Sequence, residues 1–435
     1  MENRYLLQNC IIADSRSFFG SGEILVSGGK IEAIGNYGEL EPNPDSRLIK
    51  YDLGGRILLP GFVNPHAHLY SSLSPGLSPR GTVNSFKEIL SNFWWHLDSV
   101  MDEEAVYYSA LSGILDAVKH GVTCIFDHHA SMNFVHGSLE AIEKAFNLAG
   151  IKGVLCFETS DRPSDSPISS HIRENIDFME AHMDNGRIRG MLGLHANLTL
   201  SNSVLAQLGE INSSLKEAAP IHIHCGEDQS DLVFCQNSGF HGPVERLSSY
   251  KLISPDSILA HCIHLSERDF EILHEIAPFV ISNPESNANN RVGKINQAYI
   301  QDYLIGTDGM SFDMISSLRS QYLMGNGIKE NYQILYNTFM KNPARLLSRY
   351  FPTTGILEPG MDADIAVLDY IPETPIDEKS LIGHLIFGAR GGKVFMTIAG
   401  GNILYNDGEI TFTFERSLKT QIKSAAEKLH GRYNG

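Results

Sequence analysis

Two histidines separated by one residue, His66 and His68, stand at the end of an apolar run and have the chemistry of metal ligands. Side chains at positions i and i+2 of a strand lie on the same face, so both imidazoles can reach one ion. A His-x-His pair is weak evidence alone, because two histidines in a loop need no metal. Its interpretation depends on what the rest of the chain supplies.

Three later apolar runs also end in polar residues. These residues are His222, His224 and Glu227 after one run, His261 and His264 after another, and Asp308 after the last. Each run has an ordinary explanation when taken separately, such as a turn at Asp308–Gly309. If all the runs end on one rim, however, three histidines and one carboxylate form a ligand set suited to Zn²⁺ or Fe²⁺.

The elements that must bring these residues together are short strands alternating with helices between about residues 60 and 350. Besides the run ending at His66, the candidate strands are Val122–Asp127, Gly153–Glu158, Gly190–His195, Ile221–Cys225, Ser257–His261, Phe279–Ser282 and Tyr303–Asp308. Helical patterns follow near Ser138–Ala149 and His171–Met183. This alternation predicts a parallel sheet in an α/β fold. Eight such units predict a (β/α)₈ TIM-like barrel, whose chemistry lies at the carboxyl ends of the strands.

The two ends of the chain have a different, β-rich pattern with Gly-Gly turns. We expect them to form one small composite β-sandwich beside the barrel. The predicted division is 1–58 and 355–412 for the two parts of the sandwich, 59–354 for the barrel and 413–435 for a C-terminal helix.

Composition limits the function classes. The chain of 435 residues carries a net charge of −17, which disfavours binding to nucleic acid and to anionic membrane surfaces. No run approaches the ~18 apolar residues of a membrane helix, and the N-terminus lacks the pattern of a secretory signal. The six cysteines show no close paired spacing, which argues against a zinc ribbon or a disulfide framework. We expect a cytoplasmic protein.

Several motifs resemble the amidohydrolase superfamily, closest to its branch of cytosine and guanine deaminases and triazine hydrolases. The motifs are Pro60–His68, His224–Glu227, His261–His264, Ser282–Asn287, Gly306–Gly309 and Gly355–Asp364. A narrower likeness to SsnA-type aminohydrolases rests on Phe93–Asp98, Phe126–Ser131, Cys156–Arg162 and Asn287–Gly293. Ser282 departs from the branch, which often has histidine at this position, and this leaves the substrate open.

The resemblance implies a role for each motif residue. It implies that the metal ligands are His66, His68, His224 and Asp308, and that the proton-transfer pair is Glu227 and His261, with Asp308 orienting the attacking water. It places His195 where binuclear relatives have a carboxylated lysine, which favours one divalent ion, Zn²⁺ or alternatively Fe²⁺. It also implies a homodimer or a higher homo-oligomer.

Substrate contacts are expected from other strand ends and loops. The candidates are His195, Trp95, His129, Glu158, Arg162 and His264. Trp95 either stacks on a flat ring or packs in the core, and Arg162 either clamps the substrate or pairs with Asp161. The predicted function is an aminohydrolase that releases ammonia from a nitrogen heterocycle, such as a purine or its breakdown product, through metal-activated water. The alternatives are a ring-opening cyclic amidohydrolase, a halide-displacing hydrolase, and a non-catalytic scaffold.

Overall fold

The computed structural model describes residues 4–40, 48–162, 166–325, 327–413 and 415–435. The strands among these residues are β1 Arg4–Ala13, β2 Phe18–Ser27, β3 Lys30–Asn36, β4 Ile49–Pro60, β5 Phe62–Ala67, β6 Val122–His129, β7 Lys152–Phe157, β8 Ile188–Gly190, β9 Leu192–Ala196, β10 Ile221–Cys225, β11 Ile258–His261, β12 Phe279–Ser282, β13 Leu304–Ile305, β14 Ile365–Leu368, β15 Val394–Ala399, β16 Asn402–Asn406 and β17 Glu409–Ile410.

Helices separate most strands in the middle of the chain. The α-helices among the described residues are α1 Phe86–Ile89, α2 Trp95–Ser99, α3 Glu103–Lys119, α4 Ser138–Ala149, α5 Ile168–Ala181, α6 Asn202–Ser214, α7 Gln229–Asn237, α8 Pro243–Ser249, α9 Glu267–Ile276, α10 Pro284–Asn290, α11 Met314–Met324, α12 Tyr332–Tyr336, α13 Asn342–Tyr350, α14 Leu381–Gly383 and α15 Glu415–Asn434. A π-helical turn, Leu90–Trp94, joins α1 to α2. None of the described helices is long and apolar enough to cross a membrane.

Both ends of the chain join in one eight-stranded sheet, in the order β17-β16-β15-β14-β4-β1-β2-β3. The two halves meet where β4 pairs antiparallel with β14, placing Pro60 opposite Ile365. Ile24 and Val26, two alternate residues of β2, are buried on one face of this sheet, in a hydrophobic core that belongs to the terminal β segments. The sequence therefore predicted correctly that the N-terminal and C-terminal β segments belong together.

The middle of the chain forms two parallel sheets, one in the order β5-β6-β7-β8 and one in the order β13-β12-β11-β10-β9. Isolated parallel bridges connect them on both sides, Ala67 with Asp308 and Thr159 with Leu194. The parallel α/β architecture is thus confirmed. Because every strand of a parallel sheet points the same way, the residues that follow β10, β11 and β13 lie at one edge. The bridge between Ala67 and Asp308 brings the end of β5 to this edge.

The predicted strand Gly190–His195 is interrupted. It forms two short strands, β8 and β9, which pair with different neighbours: β8 with β7, and β9 with β10. Between them Met191 donates its backbone N–H to the carbonyl of Leu155. The change of partner at this residue ends one sheet and begins the other.

Candidate active site

Three histidines and one aspartate from distant parts of the chain converge at the carboxyl edge of the parallel strands. His66 lies in β5, His68 follows it, His224 lies in β10, and Asp308 follows β13. The Nε2 atom of His68 lies 2.8 Å from Oδ1 of Asp308 and 3.1 Å from Nε2 of His224. The Nε2 atom of His66 lies 3.5 Å from Oδ1 of Asp308. The donor atoms of His66, His224, His261 and Asp308 all lie within 4.8 Å of one another, and His68 joins this group through its contacts with Asp308 and His224. A second group within the same distance consists of His68, His128, Glu158 and His224.

The opposite ring nitrogen of each histidine is occupied. The Nδ1–H groups of His68 and His224 donate to the carbonyls of His128 and His195, at 2.6 and 2.9 Å. The Nδ1 atom of His66 lies 2.8 Å from Nε2 of His222. Hydrogen bonds at Nδ1 fix the ring orientation and leave the Nε2 lone pair for a metal, as is usual for histidine ligands.

The protonation states also suit a cation. Burial lowers the pKa of His66 to about 3 and holds the pKa of His224 well below its usual value. Burial alone would raise the pKa of Asp308, but the adjacent imidazoles of His66 and His68 hold it well below 3.8. The buried Nε2 atom of His66 has no hydrogen-bond partner. Burial would lower the pKa of His68, but its hydrogen bond to Asp308 and the charges of Asp308 and Glu158 raise that pKa to about 9, so a metal ion bound at this imidazole would replace a proton. The neutral imidazoles of His66 and His224, the carboxylate of Asp308 and the unpartnered Nε2 atom of His66 fit a divalent metal ion.

The backbone at this edge is strained. Asp308 has φ of 55° and His261 has φ of 75°, in the left-handed region that residues other than glycine rarely adopt. The N–H of Asp308 donates to the carbonyl of His66 at 3.0 Å, and the N–H of His68 donates to the carbonyl of Asp308 at 3.3 Å. These bonds lock the aspartate against β5. Such strain persists where the surrounding structure holds a functional residue in place.

Glu227 and His261 lie side by side next to this cluster. The Nε2 atom of His261 lies 3.6 Å from Oε2 of Glu227 and 3.7 Å from Oδ2 of Asp308. The Nδ1–H of His261 donates to Oδ1 of Asn287 at 2.8 Å, and Nε2, on the side of the cluster, accepts a long hydrogen bond from Nδ2 of Asn283 at 3.4 Å. Asn290 donates to Oε1 of Glu227 at 3.1 Å. Burial raises the pKa of Glu227 to about 7, so this carboxyl can exchange a proton near neutrality.

Residues 57–404 match the model of the Amidohydrolase family. The chain belongs to the amidohydrolase family. It is 28% identical over 450 residues to a 5′-deoxyadenosine deaminase of Methanobrevibacter smithii, covering 98% of both chains.

Solved structures show the same fold. An adenosine deaminase from Xanthomonas campestris with bound zinc superposes with a TM-score of 0.83 at 18% identity, covering 98% of both chains. An atrazine chlorohydrolase from Arthrobacter aurescens, complexed with zinc, superposes with a TM-score of 0.79 at 17% identity over 97% of this chain and 100% of the other. The predicted resemblance to the superfamily is confirmed, and the protein is a metal-dependent hydrolase acting on carbon–nitrogen bonds.

A cavity of this amidohydrolase opens onto the four-ligand cluster. Three of the predicted substrate-binding residues line it, namely Trp95, Glu158 and His195. Oε1 of Glu158 lies 3.3 Å from the Nδ1 atoms of both His68 and His128, and Oε2 lies 3.6 Å from Nε2 of His195. Burial opposes ionisation of Glu158, but these histidines hold its pKa well below 4.5. A carboxylate therefore stands in the cavity wall beside a predicted metal ligand.

The other three predicted substrate-binding residues are not among the described residues that line the cavity. His129 contacts the hydroxyl of Ser131 at 2.8 Å, and His264 donates to the carbonyl of Val292 at 2.8 Å. Arg162 donates to Asp98 and not to Asp161, its expected partner in an ion pair. The polar groups of all three side chains are thus engaged by other parts of the protein.

Sequence reasoning missed several residues of the site. Asp98 lines the cavity, although its run was noted only as part of a resemblance. His222 was noted for its spacing from His224, and the structure adds its contact with His66. His128 stacks on His222 with ring centroids 4.6 Å apart. The His-His pair at the end of β6 was the available signal for His128.

Proposed function

We propose that this amidohydrolase is an aminohydrolase that releases ammonia from a nitrogen heterocycle, most simply a purine or purine-like ring. The observation that supports it best is the pair Glu227–His261 beside the donors of His66, His68, His224 and Asp308. Hydrolytic deamination needs one group to take a proton from water and another to protonate the ring. The relative named as a 5′-deoxyadenosine deaminase supports a purine-related substrate.

We infer that His66, His68, His224 and Asp308 hold one divalent ion, Zn²⁺ in preference to Fe²⁺. When bound, such an ion lowers the pKa of water from 15.7 towards about 7, which supplies hydroxide at neutral pH. A single ion is supported by His195, which occupies the place of the bridging lysine in binuclear relatives. The Nδ1–H of His195 donates to Thr199 Oγ1 at 2.7 Å, and its Nε2 faces Glu158.

The protein supplies the proton transfers. Nε2 of His261 accepts a proton from the attacking water, and Asp308 orients that water. Glu227 protonates the ring nitrogen next to the carbon under attack, so negative charge does not accumulate there. The new carbon–oxygen bond gives a tetrahedral carbon. The exocyclic amine takes up the proton held by His261, and the carbon–nitrogen bond breaks to release ammonia. The proton of the new hydroxyl group passes to Glu227, which restores both residues and leaves a ring carbonyl. Proton transfer of this kind contributes typically ~10²–10⁴-fold.

We propose that Trp95, Glu158 and His195 contact the substrate, because they line the cavity next to the ligands. The cavity continues into an outer groove through shared lining residues, including Phe86, Trp94 and Asp228. A substituent on the ring therefore has a path towards solvent.

The test is a screen for ammonia release by protein of known metal content, using amino-substituted purines, pyrimidines and pterins. Hydantoin-like cyclic amides and a chlorinated triazine complete the panel. His66→Ala, which removes one predicted ligand, is the control for contaminating deaminases. Ammonia with an intact ring supports the proposal. A ring-opened acid or chloride, with no ammonia from any amino-substituted ring, would instead establish the ring-opening or the halide-displacing alternative.

We further infer that the two parallel sheets close into one (β/α)₈ barrel, supported by the bridges on both sides. We also infer that the terminal β module is a sandwich. The proposed domain boundaries are 1–58 and 355–412 for the two parts of the sandwich, 59–354 for the barrel and 413–435 for the C-terminal helix. A cytoplasmic location and a homo-oligomeric state remain predictions.

A further inference from the structure

The carboxylate of Asp98 is buried in the cavity wall, and only one of its two oxygens has a hydrogen-bond partner. The side chain belongs to α2, and the residue is 2% exposed. One oxygen, Oδ2, accepts a hydrogen bond from Nη2 of Arg162, whereas Oδ1 has no hydrogen-bond partner. A buried carboxylate oxygen without a partner is costly, so its presence in a cavity wall indicates a contact made by a ligand.

Arg162 binds the carboxylate of Asp98 on the side away from the cavity. Its guanidinium pairs with Asp98 and lies 5.1 Å over the ring of Trp95. It is absent from the described residues that line the cavity, although Asp98 and Trp95 both line it. The cation therefore faces its partner and the indole, and the carboxylate faces the ligand space.

The other polar atoms of the cavity wall are suited to a ligand that carries hydrogen-bond donors, and less suited to an anionic ligand. Oε1 of Glu158 lies 3.3 Å from the Nδ1 atoms of His68 and His128, and the buried indole N–H of Trp95 is a single unpartnered donor. The lining residues that the structure describes include no lysine and no arginine. Burial raises the pKa of Asp98 to about 7, although the charge and the hydrogen bond of Arg162 oppose this rise, so the Asp98–Arg162 pair adds no net negative charge to the wall. A divalent metal would offset the charges of Asp308 and of the attacking hydroxide. Glu158 stays ionised among the imidazoles of His68, His128 and His195, and Asp228 has no ion pair with any residue that the structure describes.

We propose that Asp98, positioned by Arg162, is a substrate-binding residue that accepts a hydrogen bond from an N–H or O–H group of the substrate. With Glu158 it selects an uncharged, donor-bearing heterocycle over derivatives that carry phosphate or carboxylate. This inference rests on the proposed aminohydrolase function and names the class of substrate for the same site.

The outer groove offers an anion only one counter-ion. Arg291 is its sole cationic lining residue in the part of the chain that the structure describes, and Asp116 and Asp228 line the same groove. A phosphate carried towards Arg291 would pass Asp228, which lines both the cavity and the groove. Arg291→Ala therefore tests whether any residual turnover of an anionic compound depends on this residue.

The experiment compares 5′-deoxyadenosine with adenosine 5′-monophosphate on the metal-loaded enzyme. The two compounds share the ring and differ in the charge of the 5′ substituent. We expect kcat/KM to be at least about ten-fold higher for the uncharged compound, as repulsion by two nearby carboxylates requires. Asp98→Asn keeps the shape and one acceptor for Arg162, but its amide cannot ionise and replaces the second acceptor oxygen with a donor. We expect this variant to raise KM for 5′-deoxyadenosine about five-fold or more and to keep kcat within about two-fold of wild type. The ratio of kcat/KM for 5′-deoxyadenosine to kcat/KM for adenosine 5′-monophosphate should also become smaller.

The matched control is Asp102→Asn. Asp102 also pairs with an arginine, Arg432, at 2.8 Å, but it does not line the cavity. If the Asp98–Arg162 pair has only a structural role, Asp98→Asn and Asp102→Asn should have equal KM values for 5′-deoxyadenosine, and Asp98→Asn should have a lower melting temperature. That outcome, or turnover of the monophosphate as efficient as that of 5′-deoxyadenosine, would overturn the inference.

A separate readout distinguishes this inference from the proposed function. If no amino-substituted ring yields ammonia, the proposed function fails. Calorimetry of the two compounds with wild-type and Asp98→Asn protein then tests the recognition by itself. The recognition is supported if the wild-type protein binds 5′-deoxyadenosine more tightly than adenosine 5′-monophosphate and if Asp98→Asn has a lower affinity for 5′-deoxyadenosine. Equal affinity of both proteins for 5′-deoxyadenosine, or no binding, contradicts it.

Discussion

The Nδ1 atom of His66 lies 2.8 Å from the Nε2 atom of His222 in the interior of the parallel sheets. His66 can offer Nε2 to a metal only if Nδ1 carries the proton, so His66 donates and His222 accepts. Burial holds the pKa of His222 well below 6.5, which keeps it neutral and able to accept. A second imidazole therefore sets the orientation and the tautomer of a predicted metal ligand.

His222→Ala should weaken metal binding because it removes this acceptor from behind His66. Partners of metal-binding histidines typically contribute ~10–100-fold to metal affinity or activity, and we expect a loss in that range. His222→Gln retains an acceptor and should lose less. Competition with a chromophoric chelator measures zinc affinity. Wild-type affinity in both variants would show that the contact has no role at the metal.

Glu227→Gln should lower kcat by ~10²–10⁴-fold and leave the metal bound. The amide is close to the carboxyl in shape and can still contact Asn290, but it cannot deliver a proton. Steady-state kinetics and metal analysis of the same preparation give the two readouts. Loss of metal would indicate a structural role for Glu227, and wild-type kcat would refute the proposed proton transfer.

Removal of the metal should abolish activity and lower the melting temperature, because an ion that binds only the folded state stabilises it. Stoichiometric Zn²⁺ should restore both after the chelator is removed. His66→Ala lacks one predicted ligand, so its melting temperature should respond little to the chelator. A chelator effect of the same size in wild type and His66→Ala would place the metal elsewhere.

Asp127 should make stability depend on pH. Burial raises its pKa to about 7, while the N–H of Leu69 donates to Oδ1. The folded state therefore binds more protons than the unfolded state between about pH 4 and pH 7, and the free energy of unfolding falls as pH rises through this window. Asp127→Asn does not titrate, so it should gain about 1 kcal/mol or more relative to wild type between pH 5 and pH 8.

Urea unfolding at several pH values measures the difference between wild type and Asp127→Asn. Asp184→Asn, at an exposed position, provides the comparison. Parallel stability curves for wild type and Asp127→Asn would mean that Asp127 is ionised in the folded protein at neutral pH.

Much of the architecture could be read from local patterns. Ile221–Cys225, Phe279–Ser282 and Ser138–Ala149 were predicted with the bounds that the structure has. Their hydrophobic periodicity is strong, and a glycine ends the helix. The interruption after Gly190 could not be predicted, because the two halves of that run differ only in which strand they meet.

The sequence by itself determined the order of the strand-end histidines and carboxylates, and the resemblance to the amidohydrolases implied which four of them are metal ligands. Spacing within one strand accounts for the pair His66 and His68, because the strand period of two residues places both on one face. Only the tertiary structure decided which side chains stand behind them. Asp98 meets Arg162 across 64 residues, and His66 meets His222 across 156. Such contacts depend on which strands and helices become neighbours when the chain packs, and no local pattern records that choice.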